Sequence, residues 1–128
     1  MERHDYIPLL GLALRGGRLA VGAEAVENAV RTRKARLLLL SGGASERTRR
    51  NAGHLARSGS CVFLTLPCSR EELGQALGRA SASLVAVTDT GLAAAVGERL
   101  AALDPERFAQ AAQQLKQKDE RARQRRGS

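Results

Sequence analysis

Two hydrophobic rhythms alternate along the chain. Over 5–15, Ile7, Leu10 and Leu14 recur at helical spacing, Leu9, Leu12 and Ala13 widen the stripe, and Gly16-Gly17 ends it. Leu19 to Val21 is a short extended piece closed by Gly22. A second helix fits Glu24 to Arg33, with Val26, Ala29 and Val30 on its inner face. Leu37 to Leu40 is then a continuous apolar run closed by Ser41-Gly42-Gly43. Such runs are strands covered on both faces. Ser45 can cap a third helix to about Arg57, and Cys61 to Leu66 predicts a second buried strand stopped by Pro67. Ser69 and Glu72 form a capping-box pattern opening a helix over 70–78. Leu84 to Val87 predicts a third buried strand, and Asp89 caps a helix from Thr90 to Leu103. Asp104-Pro105 is a further helix start, with Phe108, Ala111, Ala112 and Leu115 at helical spacing.

Helices thus alternate with short apolar strands over brief connections. The pattern predicts an α/β domain, a three-layer α/β/α sandwich around a small mixed sheet. The 128 residues fit one domain of this kind. After Leu115 the apolar positions nearly vanish. A boundary is therefore placed at Asp104, with domain 1–103 followed by a basic, helical or disordered tail, 104–128. The domain holds 14 basic and 9 acidic residues, and the tail 7 and 4, so the tail is the more densely charged.

Composition narrows the chemistry. The net charge is +8, and aromatics are Tyr6, Phe63 and Phe108 alone. Folds that read single strands by stacking bases on rings are disfavoured, whereas phosphate backbones of shaped nucleic acid fit the charge. Arg accounts for 18 of the 21 cations, and with the Ala and Gly abundance this carries part of the excess as compositional bias. No apolar run reaches the ~18 residues of a membrane span. Glu2, Asp5 and Pro8 make a poor secretory signal, so a cytoplasmic location is expected. Cys61 and Cys68 have no nearby His in sequence and make no metal site. His4 and His54 accompany no nucleophile elbow, and no phosphate-loop motif is present. The expectation is a non-enzymatic protein without a cofactor.

The cations concentrate. Residues 31–50 hold seven (Arg31, Arg33, Lys34, Arg36, Arg47, Arg49, Arg50) against Glu46. If the two helices flanking Leu37–Leu40 cover one region of the sheet, they make one electropositive patch. The glycine turns at Gly16-Gly17, Gly22 and Gly42-Gly43 precede strands or helices, where backbone N–H groups can meet phosphates.

Gly17-Arg18-Leu19-Ala20-Val21-Gly22 before a helix, Ala35-Arg36-Leu37 to Leu40, and Leu66-Pro67-Cys68-Ser69-Arg70-Glu71-Glu72-Leu73-Gly74 together resemble the kink-turn RNA-binding ribosomal-protein superfamily (L-seven-Ae/L-thirty-e). Ala86-Val87-Thr88-Asp89 and Gly91 are similar to its bacterial YlxQ-type subgroup, and the resemblance spans about 5–102. It implies an L-thirty-e-like sandwich without catalysis, a ribonucleoprotein role in translation, and structured RNA, ribosomal or kink-turn-containing, as partner. Ribosomal or other translation proteins are further partners on this reading. In the family a Gly-x-Asn-Glu-x-x-Lys pattern grips sheared G·A pairs. Here the matching positions are Gly22, Glu24, Ala25 and Asn28, so glycine is kept while the amide, the carboxylate and the cation are replaced. The resemblance also marks Arg70 and the loop from Arg79 to Ser83, including Ser81. Arg31 and Arg33, one turn on, are candidates for the missing charge. The alternative is a protein-interaction module on the same fold that has lost RNA recognition, supported by the replaced Asn-Glu-Lys positions.

Overall fold

The computed structural model describes residues 5–127. The elements are α1 (Tyr6–Arg15), β1 (Leu19–Val21), α2 (Ala23–Arg31), β2 (Leu37–Leu40), α3 (Glu46–Gly59), β3 (Val62–Thr65), α4 (Arg70–Ala76), β4 (Leu84–Val87), α5 (Thr90–Leu103) and α6 (Pro105–Gly127). The sheet order is β1-β4-β2-β3. β4 runs antiparallel to both β1 and β2, and β2 runs parallel to β3. β1, β2 and β3 therefore share one direction.

The sheet is covered on both sides, which is why β2 and β4 read as unbroken apolar runs. Leu37, Leu39, Val85 and Val87 face one layer with Tyr6 and Leu10 of α1, Leu73 of α4, Val96 and Leu100 of α5, and Phe108 and Leu115 of α6. Leu38, Leu40, Leu84 and Ala86 face the other layer, built from Val26, Ala29 and Val30 of α2 and Ala52, Leu55 and Ala56 of α3. This is the α/β/α sandwich that the alternation predicted.

Three local readings change. β3 is half-buried along its length, because it is an edge strand and pairs on one side only, with β2. α2 stops at Arg31, and Arg33 adopts a left-handed turn conformation with φ +60°. Residues 105–127 form one continuous helix whose first half belongs to the core through Phe108 and Leu115. α6 lies close against α5 because Gly97 has no side chain. A Cβ there would sit 2.8 Å from Leu115 Cδ1 and 3.3 Å from Ala112 Cα.

No helix among the described residues is long and apolar enough to cross a membrane.

Candidate nucleic-acid interface

The shared direction of β1, β2 and β3 brings their three outgoing turns to one end of the sheet. The register pairs Val21 with Val85, and Leu40 with both Leu84 and Thr65, so β4 enters at that same end. Backbone hydrogen bonds stitch the turns together. Gly22 N–H donates to Leu84 O at 2.9 Å, Ser41 N–H to Ser83 O at 2.8 Å, and Gly42 N–H to Cys68 O at 2.8 Å. Ala82 N–H donates to Arg70 O at 2.9 Å, and Arg79 N–H to Gly74 O at 2.8 Å. The 79–83 loop is thereby tied to the start of α4.

The three helices that follow these turns begin differently. Ser45 caps α3 by accepting from Thr48 N–H, and Ser69 and Glu72 complete a reciprocal capping box on α4. α2 starts at Gly22, which has no side chain to cap it. Its first N–H groups, on Ala23, Glu24 and Ala25, lack intrahelical partners, so they are open to an acceptor from outside. Gly22 has φ +93° and ψ 159°, a region that side-chain-bearing residues essentially avoid. The turn therefore requires glycine there.

Glu24, Asn28 and Arg31 are exposed and follow i, i+4, i+7 spacing, a single stripe along α2. Arg31 Nη2 donates to Asn28 Oδ1 at 3.0 Å, so its guanidinium folds back along the helix toward the Asn28 position. Arg70 is exposed beside the Gly42-Gly43 turn, and a Cβ on Gly43 would lie 3.7 Å from its Cγ. Its contact with Glu71 is a loose 3.9 Å ion pair between exposed side chains. Arg79 and Ser81 are exposed on the adjoining loop. Ser81 sits against Gly74, where a Cβ would lie 2.5 Å from Ser81 Cα.

Gly22, Glu24, Asn28, Arg70, Arg79 and Ser81 thus belong to one end of the molecule, whereas Arg31 stands about 13 Å away along the axis of α2, with its guanidinium turned back to Asn28 and its flank on a hollow at the other end. Arg33 does not join them. It lies beyond the C-terminus of α2, lining a hollow with Ser58 to Cys61 at the opposite end of the sheet. The run of cations over 31–50 is divided for the same reason. α2 and α3 both run against the strands, so the end of α2 and the start of α3 occupy opposite ends. Arg47, Arg49 and Arg50 stay with the Gly22 end, whereas Arg33 and Arg36 do not.

Two arginines outside the expected set also belong to the Gly22 end. Arg49 Nη1 donates to Thr65 Oγ1 at 3.4 Å, and Arg107 Nη2 donates to Thr65 O at 2.9 Å while lying 4.8 Å from the Phe108 ring centre. Arg49 was visible as part of the charge run. Arg107 is placed by the docking of α6, for which no local signal exists.

His54 is exposed on α3, and His4 lies outside the described residues. Burial pushes the Cys61 thiol up, against the pull of Lys118 and Arg36. Burial also pushes up the Cys68 thiol, with Tyr6 opposing and Glu72 adding to the rise. No group of three or more His, Cys, Asp or Glu residues among the described residues could hold a metal ion.

A three-layer α/β/α domain with glycine turns, an uncapped α2 start and exposed arginines gathered at one sheet end is a small sandwich with a basic end. The chain belongs to the ribosomal protein L7Ae/L30e/S12e/Gadd45 family, whose model matches residues 7–96. It is 33% identical over 97 residues to "RNA-binding protein YlxQ" of Bacillus subtilis (strain 168), an alignment covering 73% of this chain and 92% of that protein. The fold is also similar to a solved structure described as a protein with unknown function from Bacillus halodurans C. That match has a TM-score of 0.70 and 27% identity, and covers 76% of this chain and 97% of the other. The family match ends before α6.

Proposed function

We propose that the protein is a non-enzymatic, cytoplasmic RNA-binding protein of the translation apparatus, taking structured, kink-turn-like RNA at the Gly22 end of the sheet. The observation that carries this reading is the meeting of the uncapped α2 start with Arg70, Arg79 and Ser81 across the glycine turns. Membership of the family and similarity to a relative named as RNA-binding support it. Phosphates are met by the guanidinium groups, which form paired hydrogen bonds to such oxygens. Base-edge contacts fall to the open N–H groups of Ala23 to Ala25, because the Ala25 side chain offers no hydrogen-bonding atom. Arg31, held against Asn28, returns a cation to the α2 stripe.

Filter binding of the full chain to ribosomal and kink-turn RNA tests the reading. Affinity falls steeply with added salt. Arg70→Ala and Arg31→Ala each weaken binding and each lower the salt slope by about one. No binding at low salt contradicts the reading, and unchanged affinity in both variants misplaces the site.

A second reading, a protein-interaction module, is favoured by Glu24, an exposed anion on the stripe that faces RNA in the first. It predicts that a nuclease-treated pull-down returns one stoichiometric protein.

A further inference from the structure

At the other end of the sheet a groove of about 390 Å³ lies between α6 and the starts of β2 and β3, lined by Arg36, Cys61, Lys118, Arg121, Arg125 and Arg126 among others. A second hollow, sharing Arg36 and Cys61, continues past it to Arg31 and Arg33. Together the two linings contain seven cations, all exposed, and one acid, Asp89. That carboxylate is already engaged, accepting Leu92 N–H at 2.8 Å to cap α5.

The array is assembled by contacts remote in sequence. Asp119, on α6, is buried. Its Oδ1 accepts from Thr90 Oγ1 at 2.9 Å, and its Oδ2 meets Arg123 Nη2 at 3.0 Å. Lys118 Nζ donates to Ser60 O at 3.4 Å. The carboxylate also stands at the N-terminus of α5, where the helix dipole favours an anion. A helix carrying few apolar residues is thereby held along the domain, with Lys118, Arg121 and Arg125 at i, i+3, i+7 turned to Arg36. Like charges so spaced repel one another. A solvated basic face needs no buried carboxylate to hold it against further arginines, and a polyanion relieves the repulsion.

We propose that this groove is a second RNA-binding surface, distinct from the Gly22 end, which takes the phosphate backbone of a flanking segment of the same RNA. It rests on the RNA-binding reading above. Phosphate fits better than an acidic protein surface for two reasons. Six of the seven cations are arginines, whose planar forks match phosphate oxygens. Protein interfaces are anchored by apolar or aromatic side chains, and the large exposed hydrophobic among the described residues is Leu12, on α1 rather than in the groove linings. Arg107, at the first end, and Arg121, in the groove, are separated by about 21 Å along α6, so one folded RNA can engage both. The field of the groove reaches its floor, where Lys118 and Arg36 oppose the burial that raises the Cys61 thiol.

Lysine acylation of the full chain with and without structured RNA tests this. The sequence has three lysines, Lys34, Lys116 and Lys118. Bound RNA slows modification of Lys118 several-fold and leaves Lys116, which is outside the groove lining, unchanged. Alongside it, Arg121→Gln/Arg125→Gln/Arg126→Gln lowers affinity about tenfold at low salt and the salt slope by about two to three. Lys118 unprotected by an RNA that binds, with Arg70→Ala still weakening binding, overturns the groove and leaves the Gly22 reading standing. Lys118 protected while Arg70→Ala and Arg79→Ala change nothing supports the groove and removes the other site. Protection of Lys118 by poly-glutamate but not by RNA overturns the proposal in favour of an acidic protein partner. A chain that binds no RNA overturns both.

Discussion

Burial holds the thiols of Cys61 and Cys68 protonated to higher pH than in an unfolded chain. Above about pH 8.5 the unfolded chain releases thiol protons that the folded chain keeps. The folded state then binds more protons, so stability is full below that pH and falls as pH rises through the folded-state values. Urea unfolding at neutral pH and at about pH 9.5 is expected to show this loss. The variant Cys61→Ala/Cys68→Ala is less stable at neutral pH, from the lost packing of Cys68, but loses less of its stability on the alkaline side. Equal losses for both proteins would contradict the assignment. At this scale the sequence was informative where one backbone position decides the outcome. Gly22 was legible because its turn needs glycine. The place of Arg31 one turn beyond Asn28 was legible as helix spacing, and the hydrogen bond between them was not. Arg33 was misleading, because two residues past a helix end are enough to carry a side chain away from that helix's face.

Among the elements, β2 and β4 were legible as unbroken apolar runs, whereas the partial exposure of β3 depends on strand order, which its own residues do not encode. The last half of α6 was not legible for a related reason. Its place is set by Asp119 and Thr90, 29 residues apart. Helix α4 joins fold to site most directly, through Gly74. A helical Gly→Ala change gains up to about 1 kcal/mol in propensity. Here the added methyl meets Ser81 N, Cα and C between 2.5 and 2.8 Å, and backbone cannot rotate aside. Overpacking of this kind costs about 1–3 kcal/mol, so the clash outweighs the propensity. Gly74→Ala is expected to lower the unfolding midpoint and to weaken RNA binding without removing any charge. A rise in stability with unchanged binding would show that the 79–83 loop is not fixed by this contact.

For the whole molecule, the direction of the helices decides the electrostatics. Because α2 and α3 run the same way, one run of cations in the sequence becomes two clusters at opposite ends of a sheet whose strands are four residues or fewer. α6 begins near one end, at Arg107 and Thr65, and brings Lys118 and Arg121 to the other. The cations of residues 31–50 and of α6 are therefore divided between the two ends of the sheet, not gathered in one patch. The family resemblance pointed to Gly22, Arg70 and the 79–83 loop, which lie in the matched region and which the structure brings to one end of the sheet. It was silent on the second, which depends on a helix beyond that region. Ultraviolet crosslinking of the full chain to structured RNA, with the crosslinked peptides identified by mass spectrometry, tests RNA binding at the Gly22 end. RNA held at the Gly22 end crosslinks within residues 22–31, 42–50 and 70–83. No crosslinked peptide, or crosslinks confined to α1 and α5, would contradict it.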